Sequence, residues 1–121
     1  MAMRPETIRK LLAARREARE DYPFGPEVMV FKVRDKMFAC VALDQKPLRL
    51  IVKCEPGDVE MLREIHPAIT PPPYFDKRHW NSVSLDGSIP RKEIERMVDE
   101  SWRLVVAKLK KSDRVQLLGE S

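Results

Sequence analysis

The side chains able to do chemistry in this sequence are two histidines, two cysteines, short carboxylate runs and many lysines and arginines, and their spacing argues against catalysis. His66 and His79 fall in different predicted elements and lack the i, i+4 spacing of a helical metal pair, so no metal site is expected. His66 precedes Pro67 at a helix end, where an imidazole commonly meets the last carbonyls. Cys40 and Cys54 sit inside apolar runs without CxxC spacing. They read as reduced packing residues, with a disulfide between neighbouring strands as the alternative. No serine or cysteine stands in a GxSxG, Cys-His or Ser-x-x-Lys context that would expose a nucleophile. The 4 glycines, never two in one short loop, cannot build a phosphate cradle. Glu93, Glu95, Asp99 and Glu100 read as the solvated face of a helix. Neither an enzyme nor a cofactor is expected.

Binding remains. Strand parity and charge place Lys32, Arg49, Lys53 and Trp80 on one outward sheet face, with Lys77, Arg78, Arg91 and Lys92 extending it. Cations there could hold phosphates while the Trp80 indole stacks on a base, as in single-strand binders. The competing reading is that Trp80 anchors the core and the lysines only guard a sheet edge.

The elements that must position these residues follow from period and punctuation. Pro5 leads into Ile8, Leu11, Leu12 and Ala18, one face of a first helix that Asp21 to Pro26 terminates. Residues 28–33, 37–43 and 48–54 form a three-stranded antiparallel meander, with turns at Arg34-Asp35-Lys36 and Asp44-Gln45-Lys46. In the third strand Leu48, Leu50 and Val52 point inward, Arg49, Ile51 and Lys53 outward. Pro56-Gly57-Asp58 opens a second helix bearing Val59, Leu62 and Ile65, which ends at His66-Pro67. Pro71-Pro72-Pro73 is an extended loop, Tyr74-Phe75 a brief strand, and Trp80 to Leu85 a further strand that Asp86-Gly87 ends. Pro90 starts the longest helix, whose inner stripe is Ile94, Met97, Val98, Ser101, Leu104, Val105 and Lys108. The expected fold is α+β: an antiparallel sheet of four to five strands with three main helices, in the order α-β-β-β-α-(β)-β-α. Residues 110–121 form a short basic tail.

A chain of 121 residues, 43% hydrophobic and 35% charged, suits one folded domain over residues 1–121. The amino-terminal MAMRPETIRK lacks the apolar stretch of a secretion signal, and no run is long enough to cross a bilayer. A cytoplasmic monomer without membrane attachment is expected. The net charge is only +4. Basic residues nevertheless outnumber acidic ones in 1–20, 77–92 and 101–121, and a sequence pI near 9.2 is compatible with a polyanion partner.

Six segments carry a resemblance to a known family: Asp21-Tyr22-Pro23-Phe24-Gly25-Pro26, Phe31-Lys32-Val33, Lys36-Met37-Phe38-Ala39, Leu50-Ile51-Val52-Lys53-Cys54, Lys77-Arg78-His79-Trp80-Asn81-Ser82-Val83 and Leu85-Asp86-Gly87-Ser88-Ile89-Pro90. With Ser101 and Leu104 to Leu109, they make the chain resemble the MmcQ/YjbR family from about residue 8 to residue 115. The resemblance implies a CyaY-like or secretion-chaperone-like fold with helices against one sheet face, and DNA binding through a double-wing motif without catalysis. Its signature positions are Phe24, Gly25, Lys32, Lys36, Phe38, Lys53, Lys77, His79, Trp80, Asp86 and Gly87. Phe24 and Phe38 suit core anchoring, Asp86 and Gly87 a turn, and Lys36, Lys53, Lys77 and His79 function. The chain departs from the family habit at Arg34-Asp35, where a glycine hairpin is usual, and at Arg15 to Ala18, so its first helix is expected to run longer.

Two functions follow: a DNA-binding domain using a basic sheet and loop surface, or a small binding domain whose groove between the sheet and the Pro71–Pro73 loop takes a peptide or small molecule.

Overall fold

The computed structural model describes residues 1–119. The chain runs α1 (Pro5–Ala13), β1 (Arg19–Asp21), β2 (Val28–Val33), β3 (Lys36–Ala42), β4 (Arg49–Lys53), α2 (Pro56–Ile65), β5 (Ile69–Thr70), β6 (Trp80–Ser84), α3 (Arg91–Val106) and α4 (Lys111–Leu118). All strands join one antiparallel sheet in the order β1-β2-β3-β4-β6-β5. The α+β class and the meander are as expected, with six strands instead of four to five and four helices instead of three.

The differences have local causes. α1 stops at Ala13, and the chain then turns through an Ala18 N–H to Arg15 carbonyl bond with Glu17 in a left-handed backbone, φ 55°. Arg19, Glu20 and Asp21 then pair with Lys32, Phe31 and Val30 as an edge strand, which an all-charged triplet does not announce. Tyr74-Phe75 is not a strand: Tyr74 has φ 66°, and the short edge strand forms at Ile69-Thr70 against Val83 and Ser82. The basic tail contains α4, which buries Leu117; Glu120 and Ser121 lie outside the described residues.

The inner sheet face packs against α1, α2 and α3 through Met29, Phe31, Phe38, Val41, Leu50, Val52 and Val83, all at or below 2% exposure. Burying each such side chain contributes roughly 1.5–3 kcal/mol. From α3 come Ile94, Met97, Val98, Ser101, Trp102 and Val105. Ile65 and Lys108, expected on inner stripes, are exposed instead.

β3 carries one extra residue. Phe31 faces Ala39 and Lys32 faces Met37, which leaves Phe38 unmatched in a β-bulge. Its freed carbonyl accepts a hydrogen bond from the buried Ser101 hydroxyl at 2.6 Å, and that hydroxyl oxygen accepts the Lys53 N–H at 2.9 Å. One α3 side chain thereby satisfies two orphaned backbone groups on neighbouring strands.

The β2–β3 hairpin turns through Arg34 and Asp35 with φ of 48° and 65°, the doubly positive geometry for which glycine is the usual choice. Arg34 answers that strain with its side chain: its guanidinium donates to Glu17 at 2.9 and 3.1 Å, to Gln116 at 2.9 Å and to Asp113. The turn is thus pinned to the α1–β1 loop and to α4. Cys40 and Cys54 are free and lie in separate apolar clusters, so the reduced reading holds. Burial pushes both thiols up to about 11.

Three outcomes test this account. Asp35→Gly, which relieves a left-handed residue bearing no Arg34-like contacts, raises the urea midpoint by about 0.5–1 kcal/mol of stability, whereas Arg34→Gly lowers it. Ser101→Ala strands the Phe38 carbonyl and the Lys53 N–H and costs about 2–3 kcal/mol in chemical denaturation. Because the folded chain retains thiol protons that the unfolded chain releases above its ordinary 9.0, stability falls as pH climbs from there toward about 11. Denaturation midpoints across that range decline less steeply in a Cys40→Ala/Cys54→Ala variant.

Candidate functional site on the open face of the sheet

Among the described residues no helix covers the outer sheet face. Cross-strand register aligns Val30, Cys40, Ile51 and Ser82 across its middle, with Arg49 toward one end and Lys53 beside Trp80 at the other. Lys32, Arg49, Lys53 and Trp80 do share this face, as parity required. Its centre is apolar instead of basic: Val30, Cys40 and Ile51 form a cluster flanked by Val28, Met37, Phe75 and Trp80. Cations occupy only the margins. Arg49 and Lys53 are four strand residues apart, about 13 Å, so they serve different places.

The loop after β5 arches along this face. Phe75 packs on Trp80 with ring centroids 5.3 Å apart and planes at 54°. Arg63 of α2 ties the returning segment down, donating to the Asn81 side-chain oxygen and the Lys77 carbonyl at 2.7 Å each and to the Trp80 carbonyl at 3.3 Å. Asn81 in turn donates to the Val59 carbonyl at 3.3 Å. Between loop and sheet lies a groove of about 820 Å³, floored by Val28, Cys40 and Ile51 and walled by Phe24, Tyr74 and Phe75. Phe24, expected as a core anchor, is 69% exposed and stands at this groove; Tyr74 is fully exposed there. Volume and lining match a small-ligand site.

Arg49 enters the groove from the strand and is fixed by neutral acceptors: Ser82 Oγ at 2.7 Å, Thr70 Oγ1 at 2.9 Å, and the Ser82 and Ala68 carbonyls at 3.2 and 3.5 Å. Among the described residues it forms no ion pair.

At the opposite end a smaller cleft brings together Lys36, Lys53 and Lys108 with Met37, Trp80, Val105 and Leu109. Met37 borders both this cleft and the groove. Ser101 fixes the backbone of Lys53, and Lys36 begins the bulged strand. Burial, and then the charge of Lys108, push the Lys53 ammonium below its ordinary pKa. None of these three lysines has a carboxylate partner among the described residues. Lys108 was missed because helical periodicity put it on the inner stripe. Lys77 and Arg78 are exposed on the adjoining loop, whose His79 carbonyl accepts the Cys54 N–H at 2.7 Å.

The other expected cations are engaged elsewhere. Lys32 pairs with Asp21 at 2.9 Å. His79 Nδ1 meets Asp76 at 2.6 Å, and the Arg78 N–H and then His79 hold the Asp76 carboxyl below its usual range. Arg91 pairs with Glu95 at 3.4 Å on α3, so with Lys92 it belongs to another surface. Asp86 accepts the Ser88 N–H and hydroxyl, the turn role expected of it. Among the described residues no group of three His, Cys, Asp or Glu side chains could hold a metal, and no helix is long and apolar enough to cross a membrane.

Comparison with known proteins bears on the fold and the family. The chain is 34% identical over 87 residues to YjbR of Escherichia coli K12, covering 72% of this chain and 74% of that one. It is 32% identical over 93 residues to YbdF of Escherichia coli O157:H7, covering 77% and 76%. A crystal structure of the Deinococcus radiodurans protein DR2400, a DUF419 domain, superposes with a TM-score of 0.86 at 34% identity, over 93% of this chain and 86% of that one. A Pseudomonas syringae crystal structure shares the fold at a TM-score of 0.74 and 24% identity, over 85% and 99% of the two chains. The YjbR family model matches residues 13–104, a span holding the whole sheet, the groove and every lysine of the cleft except Lys108, and the chain belongs to the YjbR family.

Proposed function

We propose that this chain is a non-catalytic nucleic-acid-binding domain that holds single-stranded DNA on the open face of its sheet. The carrying observation is the cleft in which Lys36, Lys53 and Lys108 meet around Trp80 without carboxylate partners among the described residues, next to an aromatic-walled groove. Three ammonium groups at one corner, one with a lowered pKa from burial and a neighbouring charge, are electrostatically relieved by a phosphate. Phe24 and Tyr74, exposed at the groove, offer ring faces to unstacked bases, and stacking tolerates any sequence. The partly buried Trp80 both packs on Phe75 and borders the lysines, so its structural and binding readings are compatible.

The groove favours a second reading: a small-molecule or peptide-binding domain. Its floor is apolar and its volume is that of a ligand pocket. Salt separates the two, because displaced counterions make phosphate binding weaken with added salt whereas an apolar contact does not.

Fluorescence polarisation with single-stranded DNA, duplex DNA and RNA at several salt concentrations tests the first reading. Three phosphate contacts give a log–log salt slope of about −2 for a single strand. The double reversal Lys53→Glu/Lys108→Glu weakens binding at least tenfold and flattens that slope. Binding indifferent to salt or to the reversal, or preferring duplex, overturns the proposal.

A further inference from the structure

The second reading, on which this inference rests, leaves open what the groove accepts, and Arg49 narrows the choice. The lining is apolar apart from Arg49, Thr70, Ser82, Asp44 and Gln45. Asp44 is exposed and forms no ion pair with Arg49 among the described residues. The Asp86 carboxyl feels the arginine only weakly, being held mainly by Ser88.

A guanidinium always carries its charge, and in a protein interior it normally meets a carboxylate. Arg49 instead meets hydroxyl and carbonyl oxygens that receive Nε–H and Nη2–H. Those bonds immobilise the side chain but leave its charge uncompensated. Among the described residues Nη1 has no protein acceptor, and it is not among the buried unpartnered atoms, so its N–H groups remain accessible. The rotamer is set before any ligand arrives, and the apolar surroundings strengthen attraction to an incoming anion.

We propose that the groove binds a small organic monoanion with an aromatic or otherwise apolar body, its acidic group on Arg49 and its body on Val28, Cys40 and Ile51 between Phe24 and Tyr74. Charge complementarity at one end and an apolar floor along the rest fit such a molecule. A neutral apolar compound leaves the arginine unanswered, and a small inorganic anion leaves the floor empty.

A matched pair of probes tests this: 2-naphthoate and its neutral amide, 2-naphthamide, titrated into the isotope-labelled full chain and followed by nitrogen–proton NMR. The naphthoate shifts the Thr70, Ser82, Cys40 and Ile51 amides together with Arg49 Nε–H, and binds about tenfold tighter than the amide, the margin of a charge-assisted hydrogen-bonded pair. Arg49→Gln brings the two affinities together, and Arg49→Lys, which keeps the charge without the fork, falls between. If Arg49→Gln loses its dispersed spectrum, the wild-type acid-to-amide ratio still decides. Equal affinities in the wild type overturn the arginine anchor while the groove stands. Absence of groove shifts with both probes removes the groove reading and this inference with it. Naphthoate shifts confined to Lys36, Lys53 and Lys108 overturn the anchor as well.

Discussion

A single hydroxyl holds together the part of this fold on which its surface chemistry depends. Ser101, buried at the middle of α3, donates to the carbonyl that the Phe38 bulge leaves unpaired and accepts the N–H of Lys53. Without a bulge, side chains beyond Phe38 would alternate in the opposite sense, and Met37 and Lys36 would exchange faces. With it, Phe38 and Ala39 both reach the inner core while Met37 stays outside, bordering the groove and the lysine cleft. The helix is therefore more than ballast for the inner face. It sets the register of the outer one.

Dividing the sheet into a helix-covered face and a loop-shaded face explains why apolar and basic chemistry coexist so closely. The inner face satisfies the needs of folding, with α1, α2 and α3 spread over it. Cys40 and Ile51 on the outer face would lie bare but for Phe75 and Trp80 at one side, and the loop that carries Phe75 into β6 is held by Arg63 and Asn81. What remains uncovered is the groove. Arg49 closes one end, and the lysine cleft begins beyond Met37.

Much of this was legible in the residues. Alternation in Arg49 to Lys53 assigned every side chain of β4 to its proper face, the polar triplets Arg34-Asp35-Lys36 and Asp44-Gln45-Lys46 located both meander turns, and Pro56-Gly57 located the start of α2. Parity also placed Lys32, Arg49, Lys53 and Trp80 on one side of the sheet. It could not show that the intervening positions are apolar, because that depends on register between strands distant in sequence. Nor could it show that Lys32 would be taken by Asp21, since Asp21 belongs to a strand without a strand-like pattern. Phe24 resembled a core residue by type alone. Lys108 continued a helical stripe in number, but α3 ends at Val106, so the period no longer told where its side chain lies.

The Arg34 hairpin has a consequence for how this chain can vary over time. A turn that glycine would make with less backbone strain is occupied by a residue whose side chain grips Glu17, Asp113 and Gln116. Long-range anchorage offsets the backbone strain, and it does so only while all three partners of Arg34 are present. A change to glycine at position 34 removes the contacts that hold the other three. Positions 17, 34, 113 and 116 therefore act as one structural unit, even though the chain places them in three separate segments, the α1–β1 loop, the hairpin and α4.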